Sequence, residues 1–161
     1  MKILIVPNTF KESLSAPEVC DAIRAGILAA GFDGEIVSVP MADGGDGTMN
    51  ALVASTGGEI RSVTVSDPLG RPVRAAFGLL GDGQTAVVEM AQASGLWRLF
   101  PAERNPLLTS TRGTGELIAA ALEAGASTVI VGIGGSATND GGAGMAQALG
   151  YHQIGRASCR E

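Results

Sequence analysis

Residues 2–7 (KILIVP) form an unbroken apolar run, the pattern of a strand covered on both faces of a parallel sheet. After a polar stretch over 8–14, Ser15 with Glu18 three residues later reads as a capping box, and Pro17 suits the first helical turn. Ala16, Val19, Cys20, Ile23, Ile27 and Ala30 then recur at helical spacing, which predicts a helix to about Ala30 that stops at Gly31. Residues 35–40 (EIVSVP) predict a second strand, and 48–55 a short helix ended by Gly57 and Gly58. The chain therefore opens with a βαβ unit.

Between 60 and 89 the period changes. Residues 60–66 alternate, 67–70 (DPLG) turn, 72–80 run extended, 81–83 (GDG) turn again, and 85–89 form a third extended run. This predicts an antiparallel β-meander beside the parallel sheet. Residues 90–108 are the least regular, because Pro101 and Pro106 interrupt any long element; a helical turn is expected near Ala93 or Glu103. Helical periodicity returns over 114–124 through Leu117, Ile118, Ala121 and Leu122, and stops at Gly125. Residues 128–133 (TVIVGI) predict another buried strand, and 142–149 a helix behind a Gly-rich loop. The fold class is α/β: a Rossmann-like parallel sheet with flanking helices, plus the antiparallel meander at 60–89.

Composition narrows the possibilities. A chain of 161 residues allows one domain or an incomplete piece of a larger one. With 45% hydrophobic and 17% charged residues, general disorder is excluded. The net charge of -5 argues against nucleic acid held by phosphate neutralisation, so the expected partner is a small molecule. No apolar run approaches the ~20 residues of a membrane span, and residues 1–20 lack the features of a signal peptide, so the chain is expected in the cytoplasm. Cys20 and Cys159 make neither a disulfide framework nor a metal spacing and are expected to be reduced. Glycine is the outlier: its 24 positions are about twice the usual ~7% share.

Those glycines cluster where chemistry could sit. Asp43-Gly44-Gly45-Asp46-Gly47 and Asp140-Gly141-Gly142-Ala143-Gly144 are both D-G-G-x-G, each after a predicted parallel strand and before a helix. Open α/β sheets bind ligands at such strand ends. The glycine N–H groups could approach an anion at a helix N-terminus, or the carboxylates could hold a cation such as Mg²⁺. The structural alternative is a pair of tight turns that need small residues; the shared Asp counts against it, since a packing turn has no evident need of a carboxylate. Residues 132–137 (GIGGSA) match the dinucleotide fingerprint G-x-G-x-x-A, though not at the first strand of its unit, where that fingerprint normally lies. An NAD-binding module therefore stays open as an alternative, as does a non-catalytic fragment. Arg112, in the loop 111–115, could fork onto an anion or simply be solvated.

Only two lysines are present, and Lys11 is the one on the same rim as the two D-G-G-x-G loops; it either neutralises phosphate or pairs with Glu12. There is no P-loop and no protein-kinase motif set. The only histidine is His152, near the end of the chain, so a general base should be a carboxylate, with Asp140 and Asp43 ahead of Asp46. Residues 151–161 show no periodicity, and 154–161 (IGRASCRE) look like one reading frame of a DNA-sequencing adapter, so that tail is expected to be non-native and is given no chemistry.

Four blocks, residues 7–16 (PNTFKESLSA), 41–48 (MADGGDGT), 104–108 (RNPLL) with 113–118 (GTGELI), and 132–142 (GIGGSATNDGG), together closely resemble type 1 glycerate kinases. The resemblance runs from residue 1 to about 150. It implies the N-terminal portion of a two-lobe α/β kinase, with the meander in either lobe, which phosphorylates D-glycerate from ATP to 2-phosphoglycerate. Family members often have Asp where this chain has Asn8, which keeps hydrogen bonding but carries no carboxylate. On this resemblance Lys11 is expected to neutralise the transferring phosphoryl group, Asp43 and Asp46 to hold Mg²⁺ directly or through water, and Asp140 to orient or deprotonate the glycerate hydroxyl. Gly134, Gly135 and Ser136 would cradle phosphate or the glycerate carboxylate; Ser13, Gly44, Gly45, Arg112 and Asn139 are further candidates for phosphate or substrate binding.

Overall fold

The structure is a computed structural model and describes residues 1–8, 10, 13–41 and 43–152. Lys11 and the residues 153–161 therefore lie outside the described residues, so the expectations for them are not addressed by it.

The elements follow the predicted order closely: β1 (Lys2–Ile5), α1 (Ala16–Ala29), β2 (Glu35–Ser38), α2 (Thr48–Thr56), β3 (Glu59–Ser66), β4 (Pro72–Leu79), β5 (Thr85–Glu89), α3 (Met90–Ser94), α4 (Arg112–Glu123), β6 (Thr128–Gly132) and α5 (Ala143–Ala148). Single 3-10 turns at Leu96–Arg98 and Pro101–Glu103 occupy the irregular stretch. The capping box is present: the Glu18 carboxylate accepts the Ser15 N–H at 2.8 Å and the Ser15 hydroxyl at 2.6 Å. Among the described residues no helix is long and apolar enough to cross a membrane.

Strand partnership departs from expectation. β1 and β2 pair in parallel as a two-stranded sheet, whereas β6 joins the meander in the order β3-β4-β5-β6. The meander is antiparallel through β3, β4 and β5, and β6 runs parallel to β5. The parallel partner of residues 128–132 is thus the last meander strand, not the opening βαβ unit.

Burial shifts with it. The inner strand β5 is the one covered on both faces: Ala86, Val87 and Val88 are wholly buried. Ala86 and Val88 face α4 with Val65, Ala75, Phe77, Leu117, Ile118 and Ala121, while Val87 faces Met49 and Val53 of α2. That alternation is the two-residue period of a strand, and it makes a helix–sheet–helix sandwich. β1 and β6 were expected to be buried runs, but Leu4, Val6, Ile130 and Ile133 are exposed. These strands lie at sheet edges and lack a second covering layer among the described residues.

The turn between β3 and β4 is closed by Asp67, whose carboxylate is 2% exposed. It accepts the Leu69 and Arg71 N–H groups, each at 2.8 Å, and Arg71 Nε at 2.6 Å. Burial alone would raise its pKa, but the hydrogen bonds from Arg71 and Leu69 and the guanidinium charge outweigh it and hold the pKa below the usual value. A depressed folded pKa contributes stability above the unfolded value near ~3.9 and loses it as pH falls through the folded value. Asp67→Asn should therefore cost about 2 kcal/mol at neutral pH, with the deficit shrinking below pH ~4. Urea unfolding at pH 7 and pH 3 measures both; an equal deficit at the two pH values would refute the ionic assignment.

Candidate functional site

Loops from the carboxyl ends of three parallel strands converge. The segment after β1 brings Asn8, Phe10 and Ser13; the one after β2 brings Asp43, Gly45, Asp46 and Gly47; the one after β6 brings Gly134 and Gly135. With Leu14, Ser15, Asn50 and Trp97 they line a cavity of about 730 Å³, within the range of small-molecule and cofactor sites. The Phe10 carbonyl accepts the Ser13 N–H at 2.9 Å and the Leu14 N–H at 3.0 Å, and the Phe10 N–H donates to the Leu14 carbonyl at 2.9 Å. Trp97 stands at the cavity with the Arg98 guanidinium 4.1 Å from its ring centroid. The described lining holds two carboxylates, Asp43 and Asp46, and no lysine or arginine.

The glycines turn out to serve loop-on-loop packing. Gly134 N–H donates to the Gly44 carbonyl at 2.9 Å. A Cβ on Gly132 would lie 2.7 Å from that same oxygen, and one on Gly134 would lie 2.6 Å from the Gly45 Cα. The N–H groups of Gly44 and Gly45, expected to face phosphate, have acceptors within their own loop and helix: Gly44 N–H donates to Thr48 Oγ1 at 3.1 Å and Gly45 N–H to Asp43 Oδ1 at 3.0 Å. Gly113 and Gly115, expected in the loop 111–115, are helical. They lie inside α4, where a Cβ would run into the Ser66 carbonyl and, at 2.5 Å, the Met145 carbonyl.

Asp43 is tied at both oxygens, by Gly45 N–H and by Asn8 Nδ2 at 2.9 Å on Oδ2. An amide at position 8 thus supports the Asp43 carboxylate through a donor, which a carboxylate there could supply only when protonated.

The second D-G-G-x-G loop is elsewhere and does something else. Asp140 Oδ2 accepts Thr111 N–H at 2.9 Å, Thr111 Oγ1 at 2.9 Å and Gly144 N–H at 3.1 Å, while Oδ1 accepts Gly142 N–H at 3.1 Å. Thr111 Oγ1 in turn accepts the Met145 N–H at 2.9 Å. Here a packing turn does need a carboxylate, contrary to expectation: Asp140 fastens the start of α5 to the start of α4. Burial would raise its pKa, but the Thr111, Gly144 and Gly142 donors outweigh it and hold it low, which is poor tuning for a general base.

Other expected site residues also lie outside the cavity lining. Arg112 opens α4 and pairs with Glu116 at 3.0 Å. Ser136 shares a 2.8 Å hydroxyl hydrogen bond with Thr138, and Asn139 is exposed. The dinucleotide fingerprint lacks its context, because its turn must open directly into a helix and α5 begins only at Ala143.

Glu89 was missed by the sequence reading. It ends β5 and is 2% exposed, and its Oε1 accepts the Met49 N–H at 2.6 Å. Burial pushes its carboxyl pKa up, the Asp46 charge adds to that, and hydrogen bonds from Met49, Gln92 and Gly47 act against it. The available signal was an acidic residue closing an otherwise apolar strand at its carboxyl end. Phe10, Asn50 and Trp97 were also not nominated.

An α/β chain with a cavity at converging strand ends, lined by paired aspartates, has the form of a small-molecule enzyme site. The sequence model of the glycerate kinase family matches residues 3–159, past the limit near Gly150 expected from the motifs. The chain is 60% identical over 151 residues to the glycerate 2-kinase of Escherichia coli K12 and 59% identical over 150 residues to the glycerate kinase of Bacillus subtilis 168, covering 93% of this chain and 39% of either relative. The crystal structure of a candidate glycerate kinase 2 from Salmonella typhimurium LT2 superposes with a TM-score of 0.82 at 55% identity, over 93% of this chain and 40% of that one. The chain belongs to the glycerate kinase family, and it spans about 40% of the length of the relatives it matches.

Proposed function

We propose that the whole protein carrying this chain transfers the γ-phosphoryl group of ATP to D-glycerate, giving 2-phosphoglycerate, in the cytoplasm. The observation that carries this is the cavity with Asp43 and Asp46 at converging strand ends, in a chain 60% identical to a glycerate 2-kinase. Residues 1–150 would be the N-terminal part of the kinase unit, with the β1–β2 sheet and the β3–β6 sheet as the beginnings of its two lobes.

Mg²⁺ characteristically takes one or two carboxylates plus phosphate oxygens. The described residues fit that demand: they hold no group of three or more His, Cys, Asp or Glu that could cage an ion, but they do present Asp43 and Asp46 at one cavity. Bound with the nucleotide, the ion would supply charge neutralisation to the phosphates. Asn8 keeps Asp43 oriented. Ser13 and Gly135 line the same space and would contact phosphate or substrate. Lys11 falls in sequence between Phe10 and Ser13, both of which line the cavity, and would neutralise the transferring group. Asp140 is assigned a positioning role, through α4 and α5.

To test this, residues 1–150 are joined to the remaining length of the E. coli glycerate 2-kinase and assayed with ATP and D-glycerate. ADP and 2-phosphoglycerate should form in equal amounts, and Lys11→Ala should lower kcat by about tenfold or more. In the 161-residue chain itself, Mg·ATP should change the emission of Trp97, its single tryptophan. A grafted enzyme that is folded yet makes no ADP would refute the assignment.

A further inference from the structure

α2 begins without a cap of its own. Its N-cap is Gly47 at φ 91°, which brings no side chain, and no side-chain cap hydrogen bond comes from that position. Backbone N–H groups at a helix start need acceptors, and a buried start without them is costly. The acceptor comes from 40 residues away: Glu89 Oε1 takes the Met49 N–H at 2.6 Å, and the Gly47 N–H favours the charged form of the same carboxyl. Residues 43–47 run straight into this anchored turn, and they carry both cavity carboxylates.

We propose that Glu89 is a positioning residue for phosphoryl transfer: by anchoring the start of α2 from beneath, it fixes Asp43 and Asp46 at the cavity. This rests on the phosphotransfer reading for its consequence, but its structural half stands alone. Glu89 sits at the carboxyl end of the inner strand β5, whose preceding residues Ala86, Val87 and Val88 are wholly buried, so its backbone has little room to move. A rigid strand end thereby sets the place of a glycine-rich loop that has few side chains of its own to hold it. The site for an anion that a helix N-terminus offers is filled by a protein carboxylate, so the loop presents its aspartates, not its N–H groups, to a ligand.

Two variants separate the possibilities. Glu89→Gln keeps an acceptor oxygen for the Met49 N–H, whereas Glu89→Leu removes it at similar volume. In the 161-residue chain, amide hydrogen exchange at Gly47 and Met49 should be about tenfold or more faster in the Leu variant than in wild type, and within about threefold in the Gln variant. In the grafted enzyme the Leu variant should lower kcat about tenfold and raise the half-saturating Mg²⁺ concentration by a similar factor, while KM for glycerate stays within about threefold. Loss of folded protein alone would lower the rate without moving the Mg²⁺ requirement. Unchanged exchange at both amides overturns the proposal, and so does a Leu variant that retains both kcat and the Mg²⁺ requirement. If the wild-type graft makes no ADP, the phosphotransfer reading fails, and the exchange measurement still decides whether Glu89 holds the loop.

Discussion

Asp140→Ala should destabilise the 161-residue chain by about 3 kcal/mol, lowering Tm by roughly 6–12 °C. The size follows from what the carboxylate holds: the N–H groups of Thr111, Gly142 and Gly144 and the Thr111 hydroxyl all lose their acceptor at once. Each net hydrogen bond contributes about 1 kcal/mol, and water can reach this part-buried site to compensate in part. The Thr111 hydroxyl also accepts from Met145 N–H, so the loss propagates into α5. Asp140→Asn, which keeps one acceptor oxygen, should fall between the two. Because the Asp140 pKa is held low, its contribution is present above the unfolded value and fades as pH falls through the folded one. The gap between wild type and the Ala variant should therefore narrow below pH ~4. A general base would behave in the opposite way, with turnover abolished and the unfolding midpoint unmoved; that result would return Asp140 to the chemistry.

The same residue shows where sequence was informative and where it was not. Local rules found the elements: Ser15 with Glu18 capped α1, Gly31 and Gly57 ended helices at positive φ, and Asp67 to Gly70 turned β3 into β4. Such signals depend on neighbours within four residues. Strand partners are non-local, so the pairing of β6 with β5 could not be read from the run at 128–133. An apolar run gives a strand but not its cover, which is why Leu4 and Ile130 read as core yet are exposed.

The repeated D-G-G-x-G placed two aspartates, Asp43 and Asp46, on a cavity, but it could not show that its second copy binds its own helices. Glu89 escaped because its partner, the Met49 N–H, is 40 residues distant and leaves no spacing to detect. Glycine was read as room for a ligand. Room for another piece of backbone has the same composition, and here the second explanation accounts for Gly132 and Gly134, while Gly44 answers to its φ of 84°.

Gly134→Ala should follow from that contact with the largest effect on turnover. The added Cβ would stand 2.6 Å from Gly45 Cα, 3.0 Å from the Gly44 carbonyl oxygen and 3.1 Å from Gly45 N. All three are backbone atoms, so no flexible side-chain end can yield; one loop must withdraw by several tenths of an ångström to an ångström. The Gly134 N–H bond to Gly44 O opens with it. Gly45 lies between Asp43 and Asp46, so both carboxylates move relative to the loop after β6. A displacement on the order of 1 Å in a positioning element costs about 10²-fold in rate, and that loss is expected in kcat of the grafted enzyme. The folded core should tolerate the change better than the reaction does, because neither hydrophobic cluster includes Gly134 or its neighbours. Gly26→Ala is the control: a Cβ there meets nothing within 4 Å, so turnover should be unchanged. If Gly134→Ala keeps wild-type kcat, the contact between the two loops does not set the geometry of the site.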